Sequence, residues 1–443
     1  MKVIERLFLA IYIPLGIWAC LHAGISWDEL IEYETLNANL NAIQGIFNGN
    51  YSDYSALLQY RDRYYGIGFH LVSRLFSELA LWINSQIFAF SDNPSPLLFT
   101  HFSVFAVFVL SGLLLKSILK KLVSDDAIPT LGMVTYLLWP YLLGHAFVNV
   151  KDIPFLFVWL LCTNLVLGLM QLWQKQFLIS RKKAALHFFL LGAATAWLLS
   201  IRISGLLILI EYATCFLVYL TIGRCNLGKF IKIPYLVAFV LPLLIGVYLL
   251  YPVFWFNPAE IFNAVKYMSQ HPWDGDTLTA GRFLHPKQSI SFYIFAWLAL
   301  KLPIVIILGW LATPVALTYR FGRSKDTDLG AEQLNFYALF FTVALILFSL
   351  IFIKAGLYNE LRQVLFIFPL IFVVGIASLY YVSIKFLKIS LVLTSLLFAF
   401  DNVALYPYSY TYMNEVVRQL QIGSQYEKDY LGLSIDRSTL WLN

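Results

Sequence analysis

Long apolar runs separated by short polar stretches dominate the chain. Eleven of them lie near 7–25, 97–119, 127–146, 154–173, 185–200, 203–222, 233–252, 291–318, 334–353, 363–382 and 386–402. Each approaches or exceeds the roughly 20 residues that carry a helix across a bilayer, which predicts membrane-spanning helices rather than strands. The 185–200 run is short, with Arg202 just past it, and reads as one arm of a tight hairpin with 203–222. The first run is longer than the ~7–15 residues of a signal-peptide core and no small-x-small site follows it, so a retained first helix is expected.

Polar residues then set the orientation. With the N-terminus cytoplasmic, the inner segments carry 17 cations against six acids, leaving 14 cations and 19 acids for the rest of the chain. Taken together the inner segments are cation-rich, the asymmetry that fixes cytoplasmic loops. The outward parts are the long ones: 26–96, 251–290 and the tail 403–443. Within the first, 30–47 and 66–90 are amphipathic with interspersed aromatics, which suits helices lying in the membrane interface. Two charges fall inside apolar runs, Glu211 and Lys301. Similar depth and opposite sign predict a buried ion pair between their helices, since isolated charges there are costly; the other reading puts Lys301 near a bound lipid.

Composition narrows the class. Of 443 residues, 60% are apolar and only 13% charged, against about 25% charged in soluble domains. Despite a net charge of +6, this excludes a soluble enzyme, a disordered chain and a nucleic-acid binder. The expected fold class is an all-α polytopic membrane protein, with 1–402 as one transmembrane module and 403–443 as a short extracytoplasmic tail. The four cysteines lie in or beside apolar runs and read as small core residues.

Candidate chemistry lies on the outward side. Asp28 and Glu29 follow the first span under a long loop and offer a general base; equally, Ser26 could cap a helix with both acids on its dipole. Lys151 and Asp152 precede Pro154 at the outer end of the third and fourth runs, either as a solvated cap or as a cation presented to an anionic headgroup. Arg61, Arg63, Arg202 and Arg362 are each readable as interfacial arginines. Gathered on one side, they could bind phosphate oxygens bidentately. His271, Asp274 and Asp276, with His285 further on, provide mixed metal-ligand types. Their spacing is loose and Gly275 marks a turn, so a turn-rich loop with Trp273 packed on membrane or acceptor is the competing reading and no cofactor is expected. His22, His70, His101 and His187 have no partners in sequence and read as core or interfacial histidines.

An ordered set of segments resembles a known family. Asp28-Glu29, the stretch from His145 through Asn149, Lys151 and Asp152 to Phe155, Arg202 to Gly205, Tyr267 to Trp273, Leu361 to Gln363 and Tyr406 to Glu415 are similar to the GT-C glycosyltransferases related to protein O-mannosyltransferases and aminoarabinose transferases. The resemblance implies inverting transfer of a sugar from a polyprenyl-phosphate donor to a protein, lipid or glycan acceptor outside the cytoplasm. It implies Asp28 as base with Glu29 beside it, and Lys151, Arg202 and Arg362 facing the lipid phosphate. The family's arginine at 362 is sometimes followed by histidine; here Gln363 follows. The resemblance and the short chain imply a bacterial inner membrane, with undecaprenyl and dolichyl carriers both open. A transporter or flippase of a lipid-linked sugar would also need outward cations, but repeat symmetry is absent from the sequence. A structural membrane subunit would not need the paired carboxylates.

Overall fold

The computed structural model describes residues 1–83, 85, 96–175, 181–230, 232–269, 275–285, 290–321 and 329–435. His271, Trp273 and Asp274 of the candidate metal loop lie outside the described residues, as do Arg323 and Lys325. The chain folds as helices. α1 (Lys2–His22) leads into α2 (Trp27–Phe47), α3 (Ser52–Gln59) and α4 (Gly68–Ile83). Next come α5 (Pro96–Leu119), α6 (Ile128–Leu138), α7 (Pro140–Val148), α8 (Asp152–Gln174) and α9 (Arg181–Ile201). α10 (Ile208–Thr221), α11 (Leu227–Phe230), α12 (Ile233–Leu250) and α13 (Glu260–Ser269) follow. A two-stranded hairpin, β1 (Thr277–Thr279) and β2 (Arg282–Leu284), pairs antiparallel with Thr277 opposite Leu284. The chain continues through α14 (Ile290–Lys301), α15 (Ile304–Phe321), α16 (Ala331–Phe352), α17 (Ile367–Val382), α18 (Ile384–Leu405) and α19 (Glu415–Gln419).

Among the described residues, eight helices are long and apolar enough to cross a membrane: α1, α5, α8, α9, a stretch ending in α10, α12, α16 and α18. α6 and α7 would make a ninth span, bent by 59°. The bend falls at Trp139, because Pro140 has no N–H to donate and disfavours helical backbone in the residue before it. The expected single span over 291–318 is likewise two shorter helices, interrupted at Leu302 and Pro303 for the same reason. α17 starts at Ile367 rather than 363, since Arg362–Val364 forms a 3-10 turn. This is an all-α, membrane-embedded protein of many packed apolar helices.

Burial grades across the bundle. α17 is buried from Ile367 through Leu379 and α8 along most of its length, as helices apolar on all sides should be at a core. α15 crosses α17 so closely that a Cβ on Gly309 would overlap the backbone of Gly375; small residues allow this approach where helices associate by van der Waals contact. α12 has Tyr235 as its one buried residue and turns Leu236, Val240, Leu244 and Tyr248 outward, a face suited to lipid. α4 leaves Val72, Leu75, Phe76, Leu79 and Trp82 uncovered on one stripe.

The expected Glu211–Lys301 pair does not form. Lys301 pairs with Glu360 at 2.8 Å, both side chains wholly buried. Glu211 instead accepts a hydrogen bond from Trp159 Nε1 at 2.8 Å. Matching depths did not predict the partner because Lys301 ends its helix at the Pro303 break, where the loop after α16 can reach it.

The tail is stitched to the bundle. Asn414 Nδ2 donates to the Ala299 and Leu302 carbonyls, satisfying oxygens freed at that break. Arg418 forms a two-pronged pair with Asp401, and the Trp27 N–H donates to the Leu431 carbonyl. A Cβ on Gly144 would collide with the Tyr410 backbone, so glycine there lets the tail lie flat on α7.

Candidate functional site

Ser26 begins α2 with a capping box: its N–H donates to Glu29 Oε1 at 2.7 Å. The other Glu29 oxygen meets His101 Nε2 at 2.7 Å, with both side chains wholly buried. Glu29 is thus engaged at the cap and against α5. Asp28, one residue earlier, faces elsewhere and pairs with Arg362 Nη1. The cap reading fits Glu29, while Asp28 keeps a side chain that is 43% exposed.

Arg362 reaches this position from the loop after α16. Asn359 and Glu360 adopt left-handed backbone with φ of 48° and 64°. They are held by Tyr293 OH donating to the Glu360 carbonyl at 2.8 Å and by the Asn359 N–H donating to Thr277 Oγ1 at 3.2 Å. Strained residues persist where surroundings over-determine them. Here they deliver a buried guanidinium lying 5.7 Å from the Tyr358 ring and 5.6 Å from the Tyr430 ring. Arg362 Nε and both amide atoms of Gln363 are buried without a hydrogen-bond partner among the described residues.

Behind Asp28 lies the turn from α7 into α8. Asn149 Oδ1 accepts from the Lys151 and Asp152 backbone N–H groups at 3.2 and 2.8 Å. Asn149 Nδ2 then donates to Asp152 Oδ2 and His145 Nδ1, each at 3.0 Å. His145 Nδ1 must accept, so in this network Nε2 carries the proton toward Tyr430 OH, 2.8 Å away. Asp152 is fixed to receive Arg202 at 2.8 Å, and Arg202 also donates to the Gln363 carbonyl at 3.4 Å. Lys151 pairs with Glu32, which a second donor, His70 Nε2, meets at 3.1 Å. The Lys151 ammonium also stands 3.6 Å from the Tyr65 ring centre.

Five residues singled out in the sequence therefore converge: Asp28, Lys151, Asp152, Arg202 and Arg362. Arg61 and Arg63 do not join them through any ion pair among the described residues. Arg61 is exposed, and Arg63 donates to the Tyr60 carbonyl at 3.2 Å and to Tyr64 OH at 3.4 Å. The reason is local: Tyr64 turns toward Glu260, donating to it at 2.7 Å, and takes Arg63 with it, while Tyr65 faces Lys151. Sequence reading missed Glu32, Tyr430 and Glu360. Glu32 lies one helical turn past Asp28, a spacing that places both on one face of α2. Tyr430 and Glu360 carry no comparable signal.

Charge in the cluster is balanced, with Lys151, Arg202 and Arg362 against Asp28, Glu32 and Asp152. Burial works against ionised Glu32, yet Lys151 and His70 overcome it and bring its carboxyl down to about 2. Burial lowers Lys151, opposed by Glu32. Glu32 has two donors, so we take the pair as charged. Burial also works against the Arg362 cation, but Asp28 and Asp152 more than offset it and hold the guanidinium above its ordinary range. Glu360 is raised to about 7 by burial, with Lys301 opposing.

The four histidines read as core or interfacial are each engaged, His22 and His187 with the carbonyls of Trp18 and Lys183, and His70 and His101 with glutamates. Among the described residues no three His, Cys, Asp or Glu side chains are grouped to hold a metal. No family model, curated protein or solved structure matches the chain.

Proposed function

We propose that this protein is an inverting, polyprenyl-phosphate-dependent glycosyltransferase of the GT-C type, working at the extracytoplasmic face of a bacterial inner membrane. The N-terminus is then cytoplasmic, and α2 and α4 lie along the interface over the site. The observation that carries the reading is the meeting of Asp28 with Arg362, and of Arg202 with Asp152, at one end of the bundle.

The acceptor hydroxyl oxygen attacks the anomeric carbon of the donor. The bond from that carbon to the phosphate oxygen breaks, its electron pair leaves with the lipid phosphate, and the hydroxyl proton passes to Asp28. Arg362, Arg202 and Lys151 take up the charge that grows on the phosphate; one such preorganised donor is typically worth ~10²–10³ in rate. Since the cluster is neutral at rest, a phosphate gains a guanidinium only by competing with a carboxylate. Arg362 is the natural point of exchange, because its partner Asp28 is the most exposed acid of the set. Phosphate on Arg362 would leave the Asp28 oxygens open to an acceptor hydroxyl, linking arrival of donor to availability of base.

The test is release of polyprenyl phosphate from a panel of polyprenyl-phosphate sugars by the reconstituted protein. Wild type is expected to release it from at least one donor and Asp28→Asn from none at a comparable rate. Equal rates would remove Asp28 from the centre. The bend between α6 and α7 favours a second reading, a lipid-linked-sugar transporter, since broken helices are common in such proteins. Movement of intact donor between leaflets with no release of polyprenyl phosphate would select it.

A further inference from the structure

At the opposite end of α1 from Asp28, α1, α5 and the start of α6 border a half-open cavity of about 710 Å³. Its charged lining residues are Lys2, Glu5, Arg6, Lys116, Lys120 and Asp126. α1 has 21 residues, about 32 Å of helix, so cavity and candidate site are separated by roughly the thickness of a bilayer's hydrocarbon core. Glu5 is taken by Lys116. Lys2, Arg6 and Lys120 have no acidic partner among the described residues, and Asp126 is the one acid of the lining left to offset them.

Apolar surface runs from this cavity toward the membrane centre. On α1, Lys2 and Arg6 share a helical stripe with Leu9, Ile13 and Ile17, and the last two are exposed. On α5, Lys116 lies one turn from Leu113 and Leu113 one turn from Leu110, both leucines exposed, and Lys120 follows just past the helix end. From Lys2 to Ile13 is eleven residues, about 16 Å, close to the depth of one leaflet. Cations at the rim and uncovered aliphatic side chains beneath them match the two parts of a lipid: an anionic headgroup and its chains. A soluble phosphate would use the rim alone.

We propose that this cavity is a binding site for an anionic phospholipid of the leaflet opposite the candidate site. Binding holds α1 against α5 through the headgroup, beside the Glu5–Lys116 pair that already joins them. The proposal is independent of the reaction assigned to the other face.

The experiment uses full-length protein reconstituted in phosphatidylcholine containing a minor fraction of phosphatidylglycerol, re-extracted in mild detergent and weighed by native mass spectrometry. Wild type should retain phosphatidylglycerol well beyond its share of the mixture. The Lys2→Gln, Arg6→Gln, Lys120→Gln triple variant should lose retention by about fivefold per cation removed, the effect of one surface cation on anionic lipid. A control triple, Lys183→Gln, Lys232→Gln, Lys385→Gln, removes equal charge from exposed positions outside the cavity and should retain lipid as wild type does. Should the first triple variant fold poorly, Lys120→Glu alone, a change of two charge units, should cut retention about 25-fold. Retention unchanged in Lys120→Glu, or lost equally in the control, overturns the proposal. So does displacement of the lipid by millimolar inorganic phosphate, which would make this a free-anion site.

Discussion

Two ion pairs from the same short loop behave as opposites. Glu360 and Lys301 meet with both side chains wholly buried, while two residues on, Arg362 meets an Asp28 whose side chain is 43% exposed. The charges are alike; access to water differs. Lys301 cannot change partners without stranding a charge in a dry core, so that pair locks the α14 break to the loop after α16. Asp28 can turn to solvent while Arg362 stays held between Tyr358 and Tyr430. The lesson is that exposure, more than the presence of ionised groups, separates a fastener from a site able to exchange ligands.

The difference can be broken or sharpened in order of effect. Asp28→Asn should lower transfer by about 10²–10⁴-fold, the usual worth of a positioned base, with a modest drop in the unfolding midpoint, since Asp152 still offsets the buried Arg362. Lys301→Met should do the reverse, costing about 1–3 kcal/mol of stability, because the buried Glu360 loses its partner and must take up a proton. Adding Glu360→Leu should recover most of that loss, measured by thermal unfolding in detergent. Arg362→Gln should reduce transfer by about 10²-fold through loss of one donor to the leaving phosphate. A smaller effect concerns acid. Glu32 sits near 2 in the folded protein against an ordinary value of about 4.3, so its contribution is present above about pH 4.3 and drains as pH falls toward 2. Glu32→Gln should flatten the acid side of the stability profile; an unchanged profile would show that Glu32 is not held ionised. Arg61→Ala should be smallest, within about 0.5 kcal/mol in stability and with transfer unaltered.

Much of the architecture was legible because each apolar run must be helical to satisfy its backbone inside a membrane. The breaks were signalled by Pro140 and Pro303, but proline alone does not say whether a helix kinks or stops, so 291–318 was read as one element. At the site, Asp28, Lys151, Asp152, Arg202 and Arg362 stand beside the ends of apolar runs, so one face of the bundle gathers them. Arg61 and Arg63 follow Asp28 in the same stretch between α1 and α5 yet go elsewhere, since a loop residue's direction depends on neighbours such as Glu260. Lys301 was matched with Glu211 by depth, a one-dimensional measure that ignores which helices touch. The return of Tyr430 to Arg362 was not readable, because nothing in a polar tail states where it folds back.

The most direct measurement is a cryo-electron microscopy map of the protein with polyprenyl phosphate bound. Phosphate oxygens are expected within ~3 Å of Arg362 and of Arg202 or Lys151, with the Asp28 carboxylate released from Arg362 and facing the lipid. A phosphate bound away from these residues, with Asp28 still on Arg362, would contradict it.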